Sequence, residues 1–417
     1  MRLPGLKNNL VMYALRMLRI LPILLFFSIS PFATNVTNLL RSSLVALFAF
    51  IILIIKPLDF KKYKLFTVLF RLIIVCFAIS FIVNEQNYSN FLIGTYGRNT
   101  GILALSGLFL LTLRSAEYFS IHSEKLISSL YVLLGLSLVY GIIQKLNLDP
   151  INWEKGAGIG ATVGNPNYYG ALLGFLSIIP LSYFLKTTNK YRYVHLVIYI
   201  LILIQTFIIG GSQGYVIFTF SLILFICIKF RERIFHKVKL VITSLVILST
   251  SLLLMLVQNF ANITTTLNAN LQFENRLEHW KLSVRIWREH FIFGVGIENL
   301  SNFSGEFRNQ TMRNWGLYTL PDKSHNMFLD FFATGGLFVG LAWIVFVFLV
   351  YKRIYFLLKN IDVKNQNGNI YVFSTIWSAW IFQTLFSPSH IVLDACGMMV
   401  GGALIGLAYK IENEKKA

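Results

Sequence analysis

The segment "DKSHNMFLDFFATGGLFVG" (residues 322–340) places an ionisable histidine where a polar loop gives way to an apolar run. A neutral imidazole accepts a proton readily, so His325 could serve as a general base on a hydroxyl group. With Asp322 or Ser324 as the N-cap of a following helix, His325 would lie in the first turn, where the helix dipole disfavours imidazolium. Taken alone, this position slightly favours the simpler alternative, an interfacial histidine bonded to loop backbone.

Arginines are the second group that could do chemistry. A guanidinium binds a diphosphate through two parallel hydrogen bonds, which a Lys ammonium cannot do. The polar segments before His325 contain a set of such residues: Arg98, Arg276, Arg285, Arg288, Arg308 and Arg313. For any one of them, surface pairing with a nearby acidic residue such as Glu278 or Glu298 is the stronger alternative.

Three turns offer further polar groups. In "GAGIGATVGNPNYYGALLG" (156–174), exposed amides beside Asn165 could bind an anion, although a flexible turn entering a membrane is equally plausible. "IIGGSQGY" (208–215) carries Gln213 at the tip of a tight turn, and "SPSH" (387–390) carries a second histidine.

Composition decides which kind of fold must position these residues. The chain of 417 residues is 56% hydrophobic and 13% charged, whereas soluble domains carry about 25% charged residues. Its long apolar runs do not alternate as the strands of a β-barrel would. We therefore predict an all-α polytopic membrane protein with about twelve transmembrane helices. The predicted spans are 18–34, 38–55, 65–83, 100–114, 125–144, 167–185, 193–210, 212–229, 238–258, 325–350, 370–387 and 391–409.

The net charge of +19 could suggest nucleic acid, but its distribution explains it better. Most Lys and Arg residues fall in loops on the side of the N-terminus. The positive-inside rule then puts both termini in the cytoplasm, with the first span retained. The cysteines lack zinc-like spacing and no nucleotide-cradling motif is present, so we expect neither a metal site nor ATP hydrolysis.

Three outer segments, 84–99, 145–166 and 259–324, exceed simple turns, which predicts extracytoplasmic chemistry. The long extracytoplasmic loop 259–324 contains an amphipathic helix that we expect to lie along the membrane interface and to end at Gly294 and Gly296. One face of it would carry Arg276, Trp280, Val284, Trp287 and Phe291, with His279 and His290 solvated. After His325, Gly336 and Gly340 predict a small-residue face for close helix packing.

These motifs together resemble the O-antigen ligase and O-antigen polymerase superfamily of bacterial membrane glycosyltransferases. The resemblance is carried, in the family's order, by "TVGNPNYYGALLGF" (162–175), "GGSQGY" (210–215), "RLEHWKLSVRIWREHFIFGVGIENL" (276–300) and "SHNMFLDFFATGGLFVG" (324–340). It covers a ligase-like core at 160–350 within a single integral membrane domain, 1–417.

The resemblance implies transfer of a glycan from an undecaprenyl-diphosphate carrier to an acceptor sugar hydroxyl, without metal, nucleotide or other cofactor. The partners would be the lipid-linked donor, a glycan or lipid-linked sugar acceptor and membrane lipids, and no nucleic acid. The resemblance also implies a multi-pass protein of the bacterial cytoplasmic (inner) membrane. The family's catalytic histidine falls at His325, beside Asn326, and a diphosphate-binding arginine falls at Arg276.

One departure concerns the tight outer turn. A second family arginine follows its serine, where this chain has Gln213, and glutamine supplies no positive charge. Arg98 could replace it. Arg285 and Gly296 match a polymerase-like Arg-x10-Gly spacing. The substrate-binding candidates are therefore Arg98, Gln213, Arg285, Arg288, Asn326 and Asn165.

Two questions stay open at this point. The sequence does not separate a ligase from a polymerase of surface glycans. A transporter or flippase of lipid-linked sugars is the alternative class, although the charged residues cluster outside the spans, with Arg71 as the main exception.

Overall fold

The structure is a computed structural model that describes residues 13–29, 38–151, 158–230, 273–314, 321–360 and 368–416. All its regular elements in these ranges are helical, as predicted. The first half contains α1 (Leu21–Phe27), α2 (Leu39–Ile55), α3 (Lys64–Val83), α4 (Tyr88–Leu92), α5 (Ile102–Phe119), α6 (Ser123–Lys145), α7 (Pro166–Leu176), α8 (Ile178–Lys186), α9 (Arg192–Ile208) and α10 (Ser212–Lys229). The second half contains α11 (Phe273–Glu289), α12 (Leu300–Phe307), α13 (Gln310–Asn314), α14 (Met327–Asn360), α15 (Gly368–Thr384) and α16 (Ile391–Glu414).

Within the described ranges, seven helical segments are long and apolar enough to cross a membrane. They are α3, α5, α6, the continuous pair α7–α8, α10, α14 and α16, and α2 and α9 are shorter apolar helices. The predicted span 238–258 lies outside the described residues, and so does the second part of 18–34. The polytopic class is thus shown, while the count of twelve spans stays a prediction.

Helix α16 forms the centre of the bundle, because its most apolar 18-residue stretch is completely buried. One side approaches α5 closely: a Cβ on Gly402 or Gly406 would clash with the carbonyl oxygens of α5. The indole rings of Trp377 and Trp380 occupy the space above two other glycines of α16. In lipid, such close van der Waals packing is what holds helices together.

Helix α14 is broken at Gly336, whose φ of +74° is incompatible with a regular helix. The predicted packing face of Gly336 and Gly340 is therefore wrong. The segment 291–296 fills the break and pairs with its free backbone groups. Three backbone hydrogen bonds join the two, from Val295 N–H to the Ala333 carbonyl (3.0 Å), from Gly296 N–H to the Thr334 carbonyl (2.8 Å) and from Leu337 N–H to the Phe291 carbonyl (2.9 Å).

The amphipathic helix of the long loop is observed as α11, but two details differ from the prediction. It ends at Glu289, five residues before Gly294, because residues 291–296 are needed at the α14 break. Its fully buried side chains are Leu282 and Ile286, which form a small separate core with residues of α12, α13 and α14. Helix α11 is therefore packed onto the protein along this face.

Candidate active site

His325 lies immediately before α14, not in its first turn. The cap of α14 is Asn326, whose side-chain oxygen accepts hydrogen bonds from the N–H groups of Phe328 (3.0 Å) and Leu329 (3.1 Å). The predicted caps, Asp322 and Ser324, are wrong because tertiary partners occupy both side chains. His325 itself has a left-handed backbone, with φ of +52°. The helix dipole cannot therefore be the main cause of a neutral imidazole.

The surroundings of His325 keep its imidazole neutral in another way. Burial lowers the pKa of His325 to about 3, and His279, Arg98 and Arg276 act in the same direction, opposed by Asp322. The His279 ring lies 5.0 Å from the His325 ring, centre to centre. His279 is half-buried there, so the prediction that it is solvated is wrong. A neutral His325 results from burial beside cations.

Arg98 is anchored on the loop that precedes α5. Its Nε and Nη2 donate to the two carboxylate oxygens of Asp322, at 2.6 and 3.2 Å, and its Nη1 donates to the Tyr168 hydroxyl at 2.9 Å. Burial alone would raise the pKa of Asp322, but the Arg98 guanidinium holds it below the usual range. Because Asp322 is three residues from His325, this ion pair brings Arg98 to the imidazole.

Arg276 enters the same site from α11, one helical turn before His279. The residue is buried, at 9% exposure, and it forms no ion pair with an acidic residue in the described part of the chain. Burial lowers its pKa, and the nearby Tyr168 opposes that effect. A buried cation of this kind favours an anionic ligand, because the ligand restores the charge interactions lost on leaving water.

Gln213 lies near Arg98, on the tight turn at 208–215. Its side chain is buried and its carbonyl oxygen accepts a hydrogen bond from the Ser387 hydroxyl at 2.7 Å. His390 lies three residues after Ser387, and its buried ring packs at a tilt against that of Tyr168, the partner of Arg98, with centres 4.6 Å apart. Two turns that are far apart in the sequence therefore meet beside Arg98. Gln213 adds no charge there, as its residue type requires.

The other predicted binding residues have different surroundings. Asn165 is exposed and its side chain caps α7 by accepting from Asn167 N–H at 2.8 Å. Arg285 donates to the Phe307 carbonyl at 3.0 Å, on the side of α11 that faces α12. Arg288 is exposed in the last turn of α11. The described structure brings His325, Arg98 and Arg276 together and leaves Arg285 and Arg288 outside this group.

Two residues near the site were not predicted. Tyr168 binds Arg98 and packs against the His390 ring, and nothing in its sequence context marks it. Arg41 is fully buried at the start of α2 and donates to the carbonyl oxygens of Leu25 (2.9 Å) and Thr162 (2.5 Å). A charge inside a predicted span is itself a signal of function, so Arg41 could have been found.

The charge on this site is positive. Arg98 is balanced by Asp322, whereas Arg276 has no acidic partner among the described residues. Within the same ranges, no group of three or more His, Cys, Asp and Glu side chains could hold a metal ion. The arrangement can bind an anion beside an imidazole that accepts a proton.

Comparison with known families gives one match. Residues 198–344, about a third of the chain, match the family model described as O-antigen ligase. This region contains Gln213, Arg276 and His325, and it excludes Arg98. No curated protein gives a significant match to the chain.

The family match supports glycan transfer in surface polysaccharide biosynthesis. Together with the membrane-spanning helices, it supports a bacterial inner-membrane protein. The match confirms the resemblance of the motifs to the O-antigen ligase and polymerase superfamily over residues 198–344.

Proposed function

We propose that this protein transfers a glycan from an undecaprenyl-diphosphate carrier to an acceptor sugar hydroxyl, on the extracytoplasmic face and without a metal. The single observation that carries the proposal is the meeting of His325 with Arg98 and Arg276. These residues come from three separate segments, so their meeting is a property of the fold.

The donor side of the reaction needs positive charge. As the bond between the anomeric carbon and the diphosphate oxygen breaks, its electron pair leaves with the diphosphate. Cations fixed in a poorly hydrated site stabilise that charge, and such electrostatic stabilisation is usually the largest catalytic contribution. Arg276, buried and without an acidic partner in the described structure, is the residue we assign to the diphosphate. Arg98 adds to the positive field while Asp322 holds it in place.

The acceptor side needs a base. A lone pair of the acceptor oxygen attacks the anomeric carbon as the diphosphate leaves, and the hydroxyl proton passes to the His325 imidazole. Because the new bond forms opposite the old one, the configuration at this carbon inverts. A positioned base contributes about 10²–10⁴-fold to such a step.

Donor binding favours proton uptake by this base. Burial lowers the pKa of free His325 to about 3, with His279, Arg98 and Arg276 acting in the same direction, which makes the imidazole a weak base. A bound diphosphate brings negative charge to the same arginines and so raises that pKa.

The test uses purified protein in detergent with a lipid-diphosphate glycan and an acceptor. An enzyme forms product without a membrane gradient, whereas a transporter or flippase forms none, and absence of product with every acceptor offered would contradict the proposal. Ligase and polymerase are separated by the glycans of a deletion strain. Free polymer on its carrier indicates a ligase, and single repeat units indicate a polymerase.

A further inference from the structure

A buried ionic network lies behind the proposed active site, and it is not part of the reaction described above. Its centre is Lys323, whose ammonium nitrogen lies 2.9 Å from a carboxylate oxygen of Glu298 and 3.1 Å from one of Asp330. All three residues are at most 5% exposed. Although burial opposes it, the two carboxylates hold the pKa of Lys323 above its ordinary value, so its ammonium stays charged.

The first arm of the network holds the loop of Arg98. Glu298 accepts hydrogen bonds from the backbone N–H (3.3 Å) and the hydroxyl (2.7 Å) of Thr95. Its other carboxylate oxygen accepts from the Thr100 hydroxyl. Thr95 and Thr100 lie on either side of Arg98 in the sequence. Glu298 therefore binds both ends of the loop that carries Arg98.

The second arm holds the loop of His325. Asp330 accepts from the backbone N–H (3.1 Å) and the hydroxyl (3.2 Å) of Ser324. The Ser324 hydroxyl is also 2.8 Å from that of Ser283 on α11, the helix of Arg276. His325 follows Ser324 directly and has a left-handed backbone, which a non-glycine residue keeps only when its surroundings enforce it. Asp330 and Ser283 supply that enforcement.

We infer that Lys323 is a positioning residue that fixes the Arg98 loop and the His325 loop relative to one another. The inference rests on the proposed function, because Lys323 touches no substrate and would affect catalysis only through Arg98 and His325. Without the ammonium, two buried carboxylates face each other unpaired, and both must move or take up protons. Each carboxylate holds one of the two loops, so their movement shifts the two loops relative to one another and leaves the Arg98–Asp322 ion pair as their remaining link.

The network is better explained by positioning than by stability. Replacing a buried ion pair with apolar groups of similar size is often neutral or stabilising, so an ionic centre is an inefficient way to hold a fold together. Here each carboxylate instead fixes the orientation of one loop. A cavity of about 30 Å³ lined by Lys323, Thr100 and Asp330 adjoins the network.

The experiment compares Lys323→Met, Lys323→Arg and Asp330→Asn in the full-length protein. Asp330→Asn keeps an acceptor for Ser324 and leaves Lys323 paired with Glu298, so it is the variant most certain to fold. Arg114→Met is the matched control. Arg114 is also a buried cation, bound to Glu117, but it lies at the far end of α5 from the Arg98 loop.

Two readouts are needed. The first is the kcat and KM of glycan transfer, measured with the thermal unfolding midpoint. The second is the rate at which diethyl pyrocarbonate modifies His325, read by peptide mass spectrometry against the partly exposed His122. The second readout works without any transferase activity, so it separates failure of this inference from failure of the proposed function.

We expect Lys323→Met to lower kcat by about 10²-fold, the loss typical of a displacement of about 1 Å at a reacting group. Modification of His325 should become several-fold faster as its loop is released. Lys323→Arg should lose less kcat and gain less His325 reactivity than Lys323→Met, and Asp330→Asn should also show smaller changes. Arg114→Met should change only the unfolding midpoint. Wild-type kcat and wild-type His325 reactivity in folded Lys323→Met or Asp330→Asn would overturn the inference. Lys323→Met that does not fold leaves Asp330→Asn to decide.

Discussion

The role of Arg276 in holding the diphosphate can be tested by replacing its guanidinium with a point charge. Arg276→Lys keeps the positive charge and loses the fork that makes two parallel hydrogen bonds to a diphosphate. Arg276 forms no ion pair with an acidic residue in the described structure, so among those residues the substitution leaves no buried carboxylate unpaired. The variant should therefore fold normally, and its effect should fall on the reaction.

The magnitude follows from the number of bonds lost. A hydrogen bond to a charged group contributes about 1.5–3 kcal/mol, and one of two such bonds is removed. At about 1.4 kcal/mol per factor of ten, kcat/KM for the donor should fall by about 10- to 150-fold. The measurement is the initial rate of transfer in detergent over a range of donor concentrations.

A control on the same helix separates an effect at the site from the loss of any positive charge on α11. Lys281 is an exposed cation of α11 that pairs only with the neighbouring Glu278 among the described residues, and Lys281→Gln should leave kcat/KM unchanged within experimental error. If Arg276→Lys kept wild-type kcat/KM, or lost no more than Lys281→Gln, the assignment of Arg276 to the diphosphate would be refuted.

Three other outcomes are expected. His325→Ala should lower kcat by about 10²–10⁴-fold with an unchanged unfolding midpoint, and wild-type turnover would remove His325 as the base. The pKa of free His325 is about 3, and an imidazole is neutral above its pKa, so kcat/KM for the donor should stay constant as pH falls from 8 to about 5. A fall in kcat/KM near pH 6.5 would mean that the base titrates with the ordinary pKa of histidine. Gly336→Ala forces a positive φ on alanine and pushes its Cβ against the Ile292 carbonyl, so it should destabilise the fold by about 1–3 kcal/mol; an unchanged midpoint would contradict the described break in α14.

Composition and periodicity predicted the helical membrane class and most helix positions, because long apolar segments have few alternatives in lipid. Local signals failed where tertiary contacts replaced them. Asp322 and Ser324 are good N-caps by residue type, yet Arg98 and Asp330 bind their side chains and Asn326 caps α14 in their place. The glycine at position 336 marks a helix break that exists only because residues 291–296 fill it, which no local pattern reveals.

The candidate site was predicted unevenly for the same reason. His325 and Arg276 carry recognisable motifs, and their roles stay predictions until they are tested. The hydrogen bonds that Thr95 donates to Glu298 and Arg98 donates to Tyr168 join residues 203 and 70 positions apart, so periodicity could not indicate them. Gln213 was predicted to lack the family's charge, but its contact with Ser387 could be seen only in the folded structure.

The most direct test is an experimental structure of the protein with a lipid-diphosphate glycan bound. We expect the diphosphate oxygens within hydrogen-bonding distance of the Arg276 guanidinium and near Arg98, with the anomeric carbon facing the His325 imidazole. A diphosphate held elsewhere in the bundle, with Arg276 unoccupied and no cavity leading to His325, would contradict the account.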